Sequence, residues 1–150
     1  MVVEVIVLTE PEAVPRLCQV VLDCTDARAL AEFYRRLLAL HYRAGDEPPA
    51  AGTRDERGAD WLVLRNPGGV QLAFQQVDRL PQPTWPEPEP VPQQLHLDLT
   101  VTSTDQLDAQ HERVLSLGGK LLLDRRDDPD EPLRVYADPA GHPFCIFVSR

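Results

Sequence analysis

A duplicated turn-and-strand motif constrains the fold of this 150-residue chain more than any other feature. The segment Asn-Pro-Gly-Gly at residues 66–69 recurs as Asp-Pro-Ala-Gly at residues 138–141, and each copy leads directly into a β-rich segment. Proline and glycine in such clusters are typical of tight turns. Upstream, residues 17–23 and 95–101 each open one half of the chain and precede a helical pattern. The sequence therefore predicts one supersecondary unit that is used twice.

Each half is predicted to be a βαβββ unit. The first helix, over residues 27–39, has its apolar residues at i, i+3, i+4, i+7 and i+8, namely Leu30, Phe33, Tyr34, Leu37 and Leu38. The second, over residues 104–117, begins at a capping box formed by Ser103 and Gln106. The predicted strands are 17–24, 41–46, 60–65 and 70–77 in the first half, and 95–102, 120–125, 133–137 and 143–149 in the second. Because each helix must bury its apolar stripe, both should cover one face of a sheet.

The pattern divides the chain into four segments. We expect an extra N-terminal strand and loop at residues 1–16, with the strand at 2–8, a first module at 17–78, a proline-rich linker at 79–94 and a second module at 95–150. The linker has six prolines between positions 81 and 92, which favours a stiff, extended strap between the modules. A role for its PxxP motif at 83–86 as a ligand of SH3-type domains is the alternative.

Charge and cysteine content limit the classes of partner. The net charge of −9 makes nucleic acid and anionic membranes unfavourable partners. The three cysteines, Cys18, Cys24 and Cys145, are odd in number and lack metal-type spacing, which indicates reduced thiols. The N-terminus has no basic region of a secretory signal, and no apolar stretch reaches membrane-spanning length. We therefore expect a cytoplasmic protein with no nucleic-acid or membrane partner.

Strand alternation separates a core face from a polar face. In the second opening strand Leu95, Leu97 and Leu99 alternate with His96 and Asp98. The first opening strand and the strands after the two turns alternate in the same way, and their polar face carries Gln19, Asp23, Gln71, Gln75 and Cys145. A solvated sheet face is one interpretation of this pattern. The mixture of amides, carboxylates, a histidine and a thiol favours a concave site.

The chain resembles the vicinal oxygen chelate superfamily, which includes glyoxalases, bleomycin-resistance proteins and ring-cleaving dioxygenases. The segments that carry the resemblance are VLDCTD at 21–26, AEFYRRLL at 31–38, LHLDL at 95–99 and ADPAGHPFC at 137–145. The resemblance covers about residues 17–149 and looks closest to small actinobacterial glyoxalase-like domain proteins. It implies an α+β fold in which two βαβββ modules form a curled mixed sheet around a central cavity, with the helices on the outer face. It also implies a small organic ligand and a homodimer.

Metal-dependent members of that superfamily place one ligand on each of four strands. Carried over by position, those places hold Gln19, Ala73, His96 and Cys145 here. A divalent cation needs several carboxylate, imidazole or thiolate donors, and alanine offers none. We therefore expect no metal and no other cofactor. A divalent metal such as zinc or nickel, with Asp98 or Asp23 as an additional ligand, is the alternative.

The predicted cavity lining combines polar and aromatic residues: Gln19, Asp23, Trp61, Gln71, Gln75, Trp85, His96, Asp98 and Cys145. One hypothesis is a metal-free binding protein of the antibiotic-sequestering kind, whose tryptophans stack on a cationic ligand. A second is a lyase or isomerase in which His96 is the general base, oriented by Asp98 or Asp23. A third uses Cys145 as a nucleophile beside His96.

Overall fold

The computed structural model describes residues 14–149 and contains eight strands and two helices in that range. The first module comprises β1 (Gln19–Cys24), α1 (Ala27–Leu38), β2 (His41–Tyr42), β3 (Trp61–Arg65) and β4 (Gln71–Gln76). The second comprises β5 (Leu97–Val101), α2 (Thr104–Ser116), β6 (Lys120–Arg125), β7 (Leu133–Ala137) and β8 (Pro143–Val148). The α+β class and the repeated βαβββ unit are therefore confirmed. The N-terminal strand predicted at 2–8 lies outside the described residues.

The strands form two four-stranded mixed sheets with the same topology. Their orders are β1-β4-β3-β2 and β5-β8-β7-β6, with the opening strand parallel to the last strand and the other pairs antiparallel. The eight strands thus belong to two sheets that are not closed, rather than to one curled sheet. Position by position, Val21 pairs with Ala73 in the first sheet and Asp98 pairs with Cys145 in the second.

The two helices cover one face of the sheets and share a single core. Asp26 caps α1 and Ser103 caps α2, each accepting a hydrogen bond from a backbone N–H of the first turn. The side chains of Leu22, Phe74 and Phe144 are buried under the helices, as strand alternation predicts. Because the same cluster contains residues of both modules, each module stabilises the other.

A buried hydrogen bond also joins the modules. The Tyr34 hydroxyl on α1 donates to Asp138 Oδ2 in the turn before β8, at 2.7 Å, and both residues are buried. Asp138 further accepts hydrogen bonds from the backbone N–H groups of Ala140 and His142, so its carboxylate holds the turn together. The first helix is therefore fixed to the second copy of the duplicated turn.

The length of the strand predicted at 41–46 and the path of the proline-rich linker differ from what the sequence predicts. The strand predicted at 41–46 ends at Tyr42, because the buried Asp46 carboxylate accepts a hydrogen bond from the Val63 N–H in place of a backbone partner. The proline-rich linker folds back on itself, with the Thr84 N–H donating to the Val91 carbonyl at 2.7 Å. Gln82 Nε2 donates to the Ala140 carbonyl at 2.8 Å, which attaches the linker to the second module.

Candidate functional site

A cavity opens on the face of the second sheet that points away from the helices. Its volume is about 320 Å³, at the lower end of the range for small-molecule sites. Strands β5 to β8 supply most of its wall, and the proline-rich linker supplies Trp85 and Gln93. We call this space the second-module cavity; its lining is Trp85, Gln93, His96, Asp98, Leu123, Arg125, Glu131, Leu133, Val135, Pro143, Cys145 and Phe147.

The polar side of the cavity is built around a histidine–aspartate pair. His96 precedes β5 and Asp98 lies within it, so their side chains emerge on the same face. His96 Nε2 lies 3.3 Å from Asp98 Oδ1, and both side chains are exposed. The Trp85 ring lies over His96, with ring centroids 6.5 Å apart and planes inclined by 24°. The linker thus places an aromatic ring above the pair.

Burial keeps the Cys145 thiol in its protonated form. Desolvation, followed by the negative charges of Asp98 and Glu131, raises the pKa of Cys145 to about 11. A nucleophilic or metal-binding cysteine needs the thiolate, which is favoured by a lowered pKa. Cys145 therefore contributes an apolar, protonated surface to the cavity, and the geometry disfavours the hypothesis of a thiol nucleophile.

The charged groups of the cavity are mainly acidic. Asp98 and Glu131 both line it, while the Arg125 guanidinium forms an ion pair with Asp128, which is not a lining residue. Arg125 is thereby partly neutralised from outside the cavity. Beneath these groups the floor is apolar and includes Leu133, Val135 and Phe147.

A second, larger space lies between the modules under the linker, and we call it the inter-module cavity. Its volume is about 660 Å³, and Asp23 and Gln75 line it together with linker prolines. His142 Nε2 lies 2.6 Å from the Asp23 carbonyl oxygen, which links the two modules at its edge. Gln93 and Pro143 line both cavities and separate them.

The predicted lining residues fall into three groups. Trp85, His96, Asp98 and Cys145 line the second-module cavity, whereas Asp23 and Gln75 line the inter-module cavity. The remaining three lie on the first sheet, outside both cavities: Gln19, Trp61 and Gln71. The structure thus brings together the predicted catalytic pair but distributes the other residues over a wider surface.

Sequence reasoning did not identify Gln93, Glu131 or Phe147 as lining residues. Phe147 lies on the same face of β8 as Cys145, so alternation along the strand carried that signal. Gln93 and Glu131 lie in irregular segments, where no periodicity indicates which way a side chain points. Their positions follow from how the linker and the acidic turn fold onto the second sheet.

The four positions that correspond to metal ligands do not form a suitable donor set. Ala73 is fully buried and carries only a methyl group, and Gln19 offers a neutral amide. His96 and Cys145 remain, and the thiol is protonated for the reason given above. Among residues 14–149, no group of three or more histidine, cysteine, aspartate or glutamate side chains is arranged to hold a metal ion. That the protein works without a metal stays a prediction.

No helix within the described range is long and apolar enough to cross a membrane. All three cysteines, Cys18, Cys24 and Cys145, are free thiols.

Several solved structures have a fold similar to that of this chain. A glyoxalase/bleomycin resistance protein/dioxygenase family enzyme from Burkholderia phytofirmans PsJN superposes with a TM-score of 0.63 at 14% identity, covering 89% of this chain and 98% of that one. A glyoxalase/dioxygenase from Nostoc punctiforme gives 0.61 at 21% identity, covering 95% and 97%. A variant of the fosfomycin resistance protein FosX from Listeria monocytogenes, complexed with Mn(II) and 1S,2S-dihydroxypropylphosphonic acid, gives 0.64 at 15% identity, covering 92% and 95%. At these identities the likeness establishes the fold alone.

None of the curated proteins compared matches the sequence. The family model described as "Glyoxalase-like domain" matches residues 19–147, which include every described strand and both helices except the last residue of β8. The repeated βαβββ unit and this match lead to the same conclusion: the chain belongs to the glyoxalase-like domain family.

Proposed function

We propose that the protein is a metal-free binding protein for a small organic cation, held in the second-module cavity. The observation that carries this proposal is the combination of Trp85, Asp98 and Glu131 above an apolar floor in one cavity. An aromatic face attracts a cation, most strongly where water is excluded, and the floor buries the apolar part of the ligand. The net charge of −9 favours approach of a cation to this surface.

The donor chemistry of the four metal-ligand positions supports a metal-free function. Ala73 and Gln19 cannot replace carboxylate or imidazole ligands, so binding would rely on shape, aromatic contact and charge. The volume of about 320 Å³ suits a compact ligand or one group of a larger antibiotic. An antibiotic-sequestering role follows, as in the bleomycin-resistance proteins of the same superfamily.

The proposal also includes a cellular compartment and an oligomeric state. Three free thiols favour a reducing, cytoplasmic compartment. We further propose that the chain is of the small actinobacterial glyoxalase-like type and that it forms a homodimer. Exposed apolar side chains such as Leu17, Val21 and Leu95 offer surface that a second copy would cover.

Isothermal titration with bleomycin and with the anionic fosfomycin tests the proposal. We expect heat with the cationic glycopeptide and none with the phosphonate, because Asp98 and Glu131 repel an anion. Trp85→Ala should weaken binding about tenfold, since a desolvated cation–π contact contributes about 1–2 kcal/mol. Trp61→Ala is the matched control, because Trp61 lines neither cavity. Absence of binding by any cationic ligand, or equal effects of the two tryptophan variants, would contradict the proposal.

A second candidate function is general acid–base catalysis by His96. The distance of 3.3 Å from His96 Nε2 to Asp98 Oδ1 favours it, because a carboxylate that orients an imidazole makes it a better base. The measurement is exchange of α-protons of hydroxy ketones into deuterium oxide, followed by proton NMR. Exchange that depends on His96 and survives His111→Ala would support catalysis. Exchange unaffected by His96→Ala would exclude His96 as the base.

A further inference from the structure

Two exposed carboxylates lie at different ends of the second-module cavity. Asp98 lies on β5, an edge strand of the second sheet, whereas Glu131 lies in the segment that leads into β7. Both residues line the cavity, and both are exposed. A charged group of a bound ligand can therefore reach either carboxylate.

The pairing of the strands shows that these carboxylates are far apart. Asp98 pairs with Cys145 on β8, and Cys145 pairs with Val135 on β7, so two strand spacings lie between Asp98 and Val135. Glu131 precedes Val135 by four residues in the chain. Because neighbouring strands are about 4.8 Å apart, the two carboxylates are attached to backbone positions more than about 10 Å apart. They therefore form two separate charged ends of the cavity.

The surface between the two ends is apolar. Val135 and Leu133 of β7 lie there, beside the thiol of Cys145 on β8. Desolvation, and then the charges of Asp98 and Glu131, raise the pKa of that thiol, so both carboxylates act on the middle of the same floor. An alkyl chain that lies along this floor loses contact with water, which favours its binding.

The negative charge at each end is available to a ligand. The Arg125 guanidinium attracts Glu131 through space, but its ion pair is with Asp128. Among residues 14–149 no side chain forms an ion pair with the Glu131 carboxylate. The neighbour of Asp98 is His96, which carries a positive charge only when it is protonated. One carboxylate charge thus remains at each end of the floor.

We propose that the second-module cavity binds a ligand with two cationic groups, one at Asp98 and one at Glu131, so that it prefers diammonium ions with an apolar spacer to monoammonium ions. This inference rests on the proposed function and adds a chemical class to it. A single cation binds at the Asp98 end, where the Trp85 ring lies over His96 and offers its aromatic face. The second cationic group then forms an additional ion pair with Glu131.

The test compares the 1,8-diammonium ion of octane with octylammonium, using the fluorescence of Trp85 in a Trp61→Phe background. We expect the diammonium ion to bind about fivefold more tightly, which is the effect of one exposed ion pair. Apolar burial alone predicts the reverse order, because the methyl end of octylammonium is more apolar than an ammonium group. The 1,3-diammonium ion of propane is too short to span the floor and should bind no more tightly than propylammonium.

Two variants with the same change of charge locate the second end of the site. Glu131→Gln should lower the affinity for the octane diammonium ion about fivefold and change that for octylammonium by less than about twofold. Asp130→Asn is the matched control, because Asp130 is an exposed carboxylate of the same turn that does not line the cavity. It should leave the preference intact. Glu131→Lys should reverse the order, so that octylammonium binds more tightly than the diammonium ion.

The outcomes separate this inference from the proposed function. Equal binding of the two octane-derived ions by the parent protein, a preference that survives Glu131→Gln, or equal losses in Glu131→Gln and Asp130→Asn overturns the second cationic subsite and leaves binding of a single cation in place. The same holds if the propane ion shows an equal preference over propylammonium. Binding of neither octane-derived ion overturns the inference; the bleomycin titration then decides the proposed function on its own.

Discussion

On the cavity side of the first sheet Val21 pairs with Ala73, whereas at the same register of the second sheet Asp98 pairs with Cys145. Ala73 and its neighbour Val63 are almost completely buried, while Asp98 is exposed and lines the cavity. Equivalent positions therefore carry the apolar Val21 and Ala73 in one module and an exposed carboxylate, Asp98, beside the thiol of Cys145 in the other. The two copies of the duplicated unit therefore have different roles, and the second provides the candidate site.

The helices show the opposite distribution. Counted from the N-caps Asp26 and Ser103, Phe33 and Tyr34 of α1 correspond to Gln110 and His111 of α2. The buried residues of α1 include both aromatic side chains, whereas those of α2 are only Leu107 and Val114. The first module thus supplies more of the shared core.

Polar networks differ between the modules as well. Arg134 on β7 occupies the position that Leu62 has on β3, as the pairing of β7 with β8 and of β3 with β4 shows. Leu62 is buried in the core, whereas Arg134 binds Asp108 on α2 and Asp124 on β6. The second helix is therefore attached by ion pairs where the first is attached by apolar contact.

The largest effect we predict is on the aromatic face of α1. Phe33→Ala should lower the free energy of unfolding by about 3–5 kcal/mol, because it leaves a cavity beside Tyr34 and Phe144. Gln110→Ala, at the equivalent position of α2, should change it by no more than about 0.5 kcal/mol. Urea denaturation measures both. Similar losses in the two variants would show that the two helices contribute equally to the shared core.

A smaller effect is predicted at the two copies of the turn. Asp138→Ala should cost about 2–3 kcal/mol, since it leaves the buried Tyr34 hydroxyl without an acceptor. Asn66→Ala, at the equivalent position, should cost about 1 kcal/mol or less, because Asn66 donates only to the nearby Val70 carbonyl.

A double-mutant cycle measures the energetic coupling between Tyr34 and Asp138. Tyr34→Phe combined with Asp138→Ala should show a coupling energy of about 1 kcal/mol or more, because the two residues share one buried hydrogen bond. Tyr34→Phe combined with Asn66→Ala should be additive. Additivity in the first cycle would mean that the hydrogen bond does not join the modules energetically.

Periodic features of the sequence predicted most of the fold. Strands 120–125 and 133–137 were predicted with the bounds they have, and the stripe of Leu30, Phe33, Tyr34 and Leu37 is buried as expected. The strand predicted at 41–46 was too long, because the side chain of Asp46 replaces a backbone partner. A side chain that takes the place of a backbone hydrogen-bond partner does so through tertiary contact, and this leaves no periodic pattern in the sequence.

The candidate site was harder to predict from the sequence than the fold. The face that carries His96, Asp98 and Cys145 follows from alternation along two strands. The place of Trp85 above His96 does not, because it depends on how the proline-rich linker folds onto the second module. The burial of Gln93 Oε1 depends on the same fold. Long-range docking of an aperiodic segment therefore decides which residues share a cavity.

The smallest effect concerns acid stability and the ion pairs of α2. Hydrogen bonds from Arg126, and then from Arg134, lower the pKa of Asp108 from its ordinary value of 3.8 to about 2. A carboxyl whose pKa is lower in the folded state stabilises the protein above its unfolded-state pKa, and this stabilisation is lost as the pH falls. Asp108→Asn should therefore be less stable than the parent protein at pH 5, and the difference should shrink between about pH 4 and pH 2.

Asp55 in the first module provides a comparison for which the expected pH dependence is smaller. Arg28 is the one arginine among the described residues whose side chain binds Asp55, and it lowers the pKa of that carboxyl. Asp55→Asn should therefore also be less stable than the parent protein at pH 5, and that difference should also shrink as the pH falls. Asp108 has two arginine partners, so its variant should show the larger dependence. Urea midpoints at pH 5, 4, 3 and 2 measure both differences. A gap between Asp108→Asn and the parent protein that stays constant over this range would show that Asp108 contributes through packing alone, and α2 would then be attached much as α1 is.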